Sequence, residues 1–349
     1  MENKRVTSIE ALRVASMFLI VVMHYIFCGL KLNPIHMYYD LSSIGGIVDY
    51  LSMEPLYILS GTAVNCYVMI TGYFLIDKLG YRWNGILKTW FLAFFYSLIF
   101  LGLAFSFKID ITKSDILQAL FPVHQGAYWF VTSYIGLLLF APILSRAAVS
   151  LSKRSYQIVL VALFFVVFEF FYGKVYGGFR TIIFFGYLFL LAGYLRLHGI
   201  PRLVLKYKFI IFLAIWLGLF AMATAINVVG GGKFQLVSSA YDGPILFLSF
   251  IIFVIFQTGE KEKISWVWLQ QLAPYTFGVY LIHTNTFVND RIWKLLPNTY
   301  NYPIIIHCIL FCALLFIICV GIDFIRERIF TILKIDGILK KFSSKLPQL

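Results

Sequence analysis

Apolar stretches of about 20 residues follow one another almost from end to end of this chain, and few folds can accommodate them. A helix needs roughly 20 apolar residues to cross a hydrocarbon core of ~30 Å. The predicted spans are 8–30, 47–76, 85–107, 126–145, 156–172, 179–196, 209–227, 241–257, 266–288 and 302–325. Of the 349 residues, 61% are hydrophobic and only 13% charged, about half the charged share of soluble domains. A soluble domain of this length has no interior large enough for so much apolar surface, whereas lipid solvates it. The chain therefore reads as all-α, a polytopic transmembrane helical bundle of about ten spans. Residues 1–349 are expected to form one integral membrane domain without an appended soluble domain. The first apolar run, Ile9 to Leu30, is too long for a signal-peptide core and lacks a small-residue cleavage site, so it reads as the first span. The second span, with Glu54, Pro55, Gly61 and Asn65, and the ninth, with Pro274 and Gly278, are the least regular.

The net charge of +13 would suggest a nucleic-acid partner in a soluble protein. In a membrane protein, basic residues mark the cytoplasmic loops instead. With the N-terminus inside, 20 of the 29 lysines and arginines fall on the cytoplasmic side, eight fall outside, and Arg13 lies within the first span. Adding or removing one span would reverse every side downstream and spoil this bias. The charge is thus read as topology: both termini cytoplasmic, a lipid bilayer around the chain, and no nucleic-acid partner. The five cysteines all sit in apolar runs without disulfide or zinc spacing, so they are read as packing residues, and no metal site is expected.

Ionisable residues inside a span are costly and each needs a reason. Thr7-Ser8-Ile9-Glu10 reads as a capping box opening the first helix. Arg13 then lies about one turn inside the cytoplasmic edge, and His24 follows 11 residues later. At ~1.5 Å and ~100° per residue, the two are ~16 Å apart along the axis and only ~20° apart around it. One helix face thus carries a fixed cation near the membrane edge and a titratable base deep inside. That arrangement suits a long anionic donor such as coenzyme A, with phosphates for a guanidinium to hold and a thioester arm reaching inward. His24 could deprotonate an acceptor hydroxyl or take the acyl group itself. The structural alternative is that Arg13 reaches to the headgroups and His24 bonds a nearby carbonyl.

Arg13 and His24, with ten residues between them on a first helix, resemble the hallmark of the acyltransferase-3 family of membrane proteins. Met69-Ile70-Thr71-Gly72-Tyr73-Phe74-Leu75 resembles that family's apolar run ending in Ser-Gly-Tyr/Phe. Tyr128-Trp129-Phe130 followed by Ala141-Pro142-Ile143-Leu144 resembles its fourth-span region, and Tyr275-Thr276-Phe277-Gly278-Val279-Tyr280-Leu281-Ile282-His283 its Ser-x-Gly-x-Tyr-Leu-x-His signature. The matches keep their order and spread over nearly the whole chain. The resemblance implies a ten-helix O-acyltransferase of a bacterial cell membrane. Its donor would be acetyl-CoA or another acyl-CoA, as co-substrate rather than bound cofactor, and its acceptor a surface polysaccharide, glycolipid or precursor. It assigns catalysis to His24 and Arg13. Thr71 stands where the family usually has Ser, and Asn65 where many members have Pro. The loop after the second span offers Lys78, Arg82 and Lys88 as donor-binding cations in place of a close arginine pair.

Other candidates are Glu169, which could orient His24 or read a sugar hydroxyl, and Asn65, Thr71, Trp129, Tyr280 and His283 as residues lining the acceptor site. Asp323 is expected to pair with Arg326 at helical spacing, and His307 reads as structural. A transporter or exporter of a small anion or glycolipid is the competing function; no repeat between halves of the chain supports it.

Overall fold

The computed structural model describes residues 7–30, 43–172, 178–230, 243–259, 267–296 and 303–347. Among these residues there are helices and no strands. In chain order they are α1 (Thr7–His24), α2 (Ile44–Gly61), α3 (Ala63–Leu75), α4 (Trp83–Ser106) and α5 (Lys113–Leu120). Then follow α6 (Trp129–Ser150), α7 (Lys153–Tyr172), α8 (Gly178–His198), α9 (Arg202–Gly230) and α10 (Gly243–Thr258). Five more close the series: α11 (Val267–Leu272), α12 (Thr276–His283), α13 (Thr286–Trp293), α14 (Ile304–Ile332) and α15 (Ile335–Ser343).

Seven helical stretches among the described residues are long and apolar enough to cross a bilayer: Ser8–Gly29, Ile44–Leu75, Trp83–Ser106, Trp129–Ser150, Thr181–His198, Arg202–Val228 and Ile304–Ile332. They mark the chain as a membrane protein. The apolar helix α10 is shorter, at 16 residues. The fifth predicted span coincides with α7, whose side chains from residue 168 onward lie outside the described residues.

The two irregular spans differ from simple rods for identifiable reasons. The second covers 32 residues, ~48 Å at 1.5 Å per residue, well beyond the ~30 Å hydrocarbon core. It is interrupted at Thr62, whose hydroxyl and N–H both turn back to the Leu59 carbonyl, at 2.7 and 3.0 Å. The ninth is broken into α11, a 3₁₀ turn over Ala273–Tyr275, and α12. Pro274 has no N–H for the helix ladder, so the backbone tightens there and restarts. The chain turns again before α13, where buried Asn285 accepts the Phe287 N–H at 3.0 Å.

The helices gather into two compact units built from interleaved segments. The first comprises Met1–Tyr67, Ile200–Tyr280 and Asp290–Val320. In it α1 packs against α2, α10 and α11, and α9 lies on α2 and α10. Asp49 on α2 accepts the first N–H of α14, from Ile304, at 2.9 Å, which places a carboxylate at the positive end of that helix. The second unit comprises Val68–Gly199, Leu281–Asn289 and Gly321–Leu349. There α8 packs on α6 and α7, while α4 meets α5, α6 and α15.

Small residues set the closest approaches in the second unit. A Cβ on Gly72 would stand 2.4 Å from the Phe189 carbonyl oxygen, so α3 and α8 touch backbone to backbone. A Cβ on Gly193 would stand 2.5 Å from Ile76. Lipid-embedded helices associate through such close packing, because lipid tails are as apolar as the side chains they replace. Ser145 adds a polar tie, its hydroxyl donating to the Leu75 carbonyl at 3.1 Å.

Candidate functional site

In the first unit α1 runs without interruption from Thr7 to His24, so Arg13 and His24 do share a face, about three turns apart. Arg13 donates to Glu10, with Nη1 at 2.9 Å from Oε2 and 3.2 Å from Oε1. The Glu10 side chain is 7% exposed and that of Arg13 28%, so the pair is sheltered but the guanidinium keeps an open edge. Glu10 is thus used by Arg13; the expected capping box also involves the Thr7 side chain, which lies outside the described residues. Tyr67 on α3 stands within electrostatic reach of both charges, and its hydroxyl is 3.4 Å from that of Thr276, the hydroxyl of the C-terminal signature.

His24 is half-buried at the end of α1, and its ring donates to the Ile20 carbonyl one turn back. A ring N–H held by a carbonyl fixes the tautomer and directs the lone pair to the other nitrogen. Immediately after it, Tyr25–Gly29 forms a π-helical turn. Such widened turns occur often at functional sites, because they re-aim side chains without breaking the helix. Buried Tyr25 is 2.7 Å from His307 Nδ1 through its hydroxyl, and its ring is enclosed by Trp293 and Phe311. His307 is therefore part of the wall that holds the turn after His24. Nothing local in the sequence connects two residues 282 positions apart.

Of the other expected site residues in this unit, Asn65 is fully buried and donates to Ser249 Oγ at 3.1 Å. That bond ties α3 to α10 and gives Asn65 a packing task. Tyr280 is 4% exposed on α12. Glu54 on α2, noted in the sequence only as an irregularity, is 2% exposed, and its Oε2 has no hydrogen-bond partner among the described residues. The rule that singled out Arg13 and His24, an ionisable group inside a span, applies to Glu54 equally and could have found it.

The second unit holds Lys78, Arg82, Lys88, Thr71, Trp129 and His283. Lys78 Nζ lies 3.2 Å from Asp77 and Lys88 Nζ 2.8 Å from Asp336. Arg82 is exposed at the N-terminal end of α4 and forms no ion pair among the described residues. It lines a pocket of about 370 Å³ with Tyr81, Trp83 and Asn84 on one side and Ser343 and Ser344 on the other. The Tyr81 and Trp83 rings stack at 4.7 Å. Exposed ion pairs such as those of Lys78 and Lys88 are weak, so both cations can turn to a phosphate. Thr71, where a serine was the family expectation, keeps its hydroxyl in use, 2.9 Å from Tyr134.

Trp129 is 46% exposed at the start of α6, with its ring against Phe185. His283 is wholly buried at the end of α12. Buried Tyr128 donates to the Leu281 carbonyl at 3.2 Å and accepts from Asn285 at 2.7 Å, so the start of α6 is fixed to the end of α12. Asp323 pairs with Arg326 as the spacing predicts, and it also accepts Tyr96 at 2.6 Å. Glu169 lies on α7, but its side chain falls outside the described residues.

A family model described as an acyltransferase domain matches residues 6–324 of the 349. No curated protein and no solved structure matches the chain.

Proposed function

Because the chain belongs to the acyltransferase-3 family, we propose that it moves an acyl group, acetyl by preference, from acyl-CoA to a hydroxyl of a cell-surface polysaccharide, glycolipid or precursor. The observation that carries this reading is α1 itself: an unbroken helix with Arg13 and His24 on one face, and His24 held by the Ile20 carbonyl. Arg13, steadied by Glu10, has a guanidinium edge for a phosphate of the donor. His24 takes the proton of the acceptor hydroxyl as its oxygen attacks the thioester carbonyl. The tetrahedral adduct then collapses, the C–S bond breaks, and the imidazolium returns the proton to the departing thiolate. A thioester is already activated, so this direct transfer needs no acyl-histidine. The reading places the protein in the cell membrane with ten spans and both termini cytoplasmic, supported by the bias of 20 basic residues to eight.

Two measurements test it. Mass spectrometry of surface glycans from cells with and without the gene is expected to show an acyl group that depends on the gene. Purified protein in detergent is expected to turn over acetyl-CoA with an acceptor from those glycans, and a transporter would not, since it needs two compartments. His24→Ala is expected to fold and to lose activity by roughly 10²–10⁴-fold, the usual contribution of a positioned base. Radiolabelled acetyl left on wild-type protein by donor alone, and absent from His24→Ala, would replace the direct route with a covalent one. Full activity in folded His24→Ala would refute both.

A further inference from the structure

Lys334 stands at the junction of α14 and α15 with φ of +53°, a left-handed conformation that turns the chain sharply after a membrane-capable helix. The nine residues that follow are strongly two-faced. Ile335, Ile338, Leu339 and Phe342 recur at i, i+3, i+4 and i+7, so they fill one arc about 100° wide. None of the helix's residues is buried. One edge of the arc, Ile335 and Leu339, is half-covered where α15 packs on α4, whereas Ile338 and Phe342 are each 60% exposed. Lys334, Lys340, Lys341 and Lys345 frame the apolar arc, and the single carboxylate in the segment, Asp336, is already paired with Lys88.

The apolar surface does not begin at α15. Ile322, Ile325, Ile329 and Ile332 form an exposed stripe down the last turns of α14, and Leu333 carries it to the turn. A stripe of this kind on a membrane-capable helix faces lipid, and α15 begins beyond the predicted end of that span, past the hydrocarbon. Its uncovered arc then continues the lipid-facing surface, and its lysines sit at the depth of the headgroups. From this continuity and the charge we infer that α15 lies in the membrane interface and docks on anionic phospholipid, with Ile338 and Phe342 inserted and the lysines on the headgroup phosphates. Such helices bind through apolar insertion combined with attraction to anionic lipid, and each lysine near the surface favours the bound state about fivefold. Docking also steadies the segment that carries Arg82. That segment is joined to the C-terminal region by the Lys88–Asp336 pair and by Trp83, whose Nε1 donates to the Pro347 carbonyl at 2.6 Å.

The test uses the full chain in nanodiscs of phosphatidylcholine alone or with about one-third phosphatidylglycerol. Hydrogen–deuterium exchange of residues 333–345 is the readout. Exchange is expected to slow several-fold in the anionic discs, and high salt is expected to reverse most of the slowing. Ile338→Asp with Phe342→Asp should remove the protection in either lipid. Replacing the four lysines with Gln should leave exchange the same in both lipids. Equal exchange of the wild-type segment in the two kinds of disc would overturn the inference, as would protection that survives the double Asp substitution. A helix that awaits a protein partner predicts those outcomes.

Discussion

Arg13 has two demands on it, and they shape how its role can be tested. Its guanidinium is the partner of a Glu10 carboxylate that is only 7% exposed. Arg13→Ala would leave that carboxylate sheltered and alone, at a cost of about 1–3 kcal/mol or more. Lost activity in that variant would therefore mix lost stability with lost donor binding. Arg13→Lys keeps a cation beside Glu10 but cannot grip a phosphate with two donors. The expected outcome is a thermal midpoint near wild type for Arg13→Lys in detergent, a lower one for Arg13→Ala, and weaker coenzyme A binding in both. Unchanged binding in both would remove Arg13 from the donor site. The spacing of Arg13 and His24 was legible in the sequence because helical periodicity is local. The Glu10 contact was half-legible: the residue stood out, but three residues from Arg13 it could serve either the backbone or the guanidinium.

Gly72 is the clearest case among the helices of a residue whose reason lies in another element. The motif around Thr71 and Gly72 was visible, but the need for glycine appears only where the Phe189 backbone crosses it. Gly72→Ala is expected to force α3 and α8 apart and to destabilise the protein by about 1–3 kcal/mol, seen as a lower thermal midpoint. Ala at Gly85, where nothing stands within 4 Å of the added carbon, is the control and is expected to be silent or slightly stabilising. Helix α5 offers a pH-dependent test outside the membrane-capable helices. Thr112 and Asp115 form a reciprocal capping box there. The Thr112 hydroxyl and N–H hold the Asp115 carboxyl below its ordinary value. A lowered folded pKa means a contribution that is complete above the ordinary aspartate range and fades as pH falls through the folded value. The protection factors of the amides at the start of α5, with the intrinsic pH dependence of exchange divided out, should therefore fall at acid pH, and Thr112→Ala should lower them already at neutral pH.

For the whole molecule, the prediction is topological. Reporter fusions at residues 146–154 and 198–208 are expected to read as cytoplasmic, as are fusions at both ends; either loop outside would overturn the arrangement. The membrane class, the approximate positions of seven of the spans and the register of Arg13 with His24 were all determined along the chain, because hydropathy and helical period are properties of neighbouring residues. The partners of those residues were decided only in three dimensions. Tyr25 meets His307 across 282 positions, Tyr96 meets Asp323 across 227, and Asn65 meets Ser249 across 184. In a soluble bundle an apolar stripe would show which face of each helix turns inward. In lipid both faces are apolar, so that signal is weak, and close backbone packing and a few buried hydrogen bonds decide which helices meet.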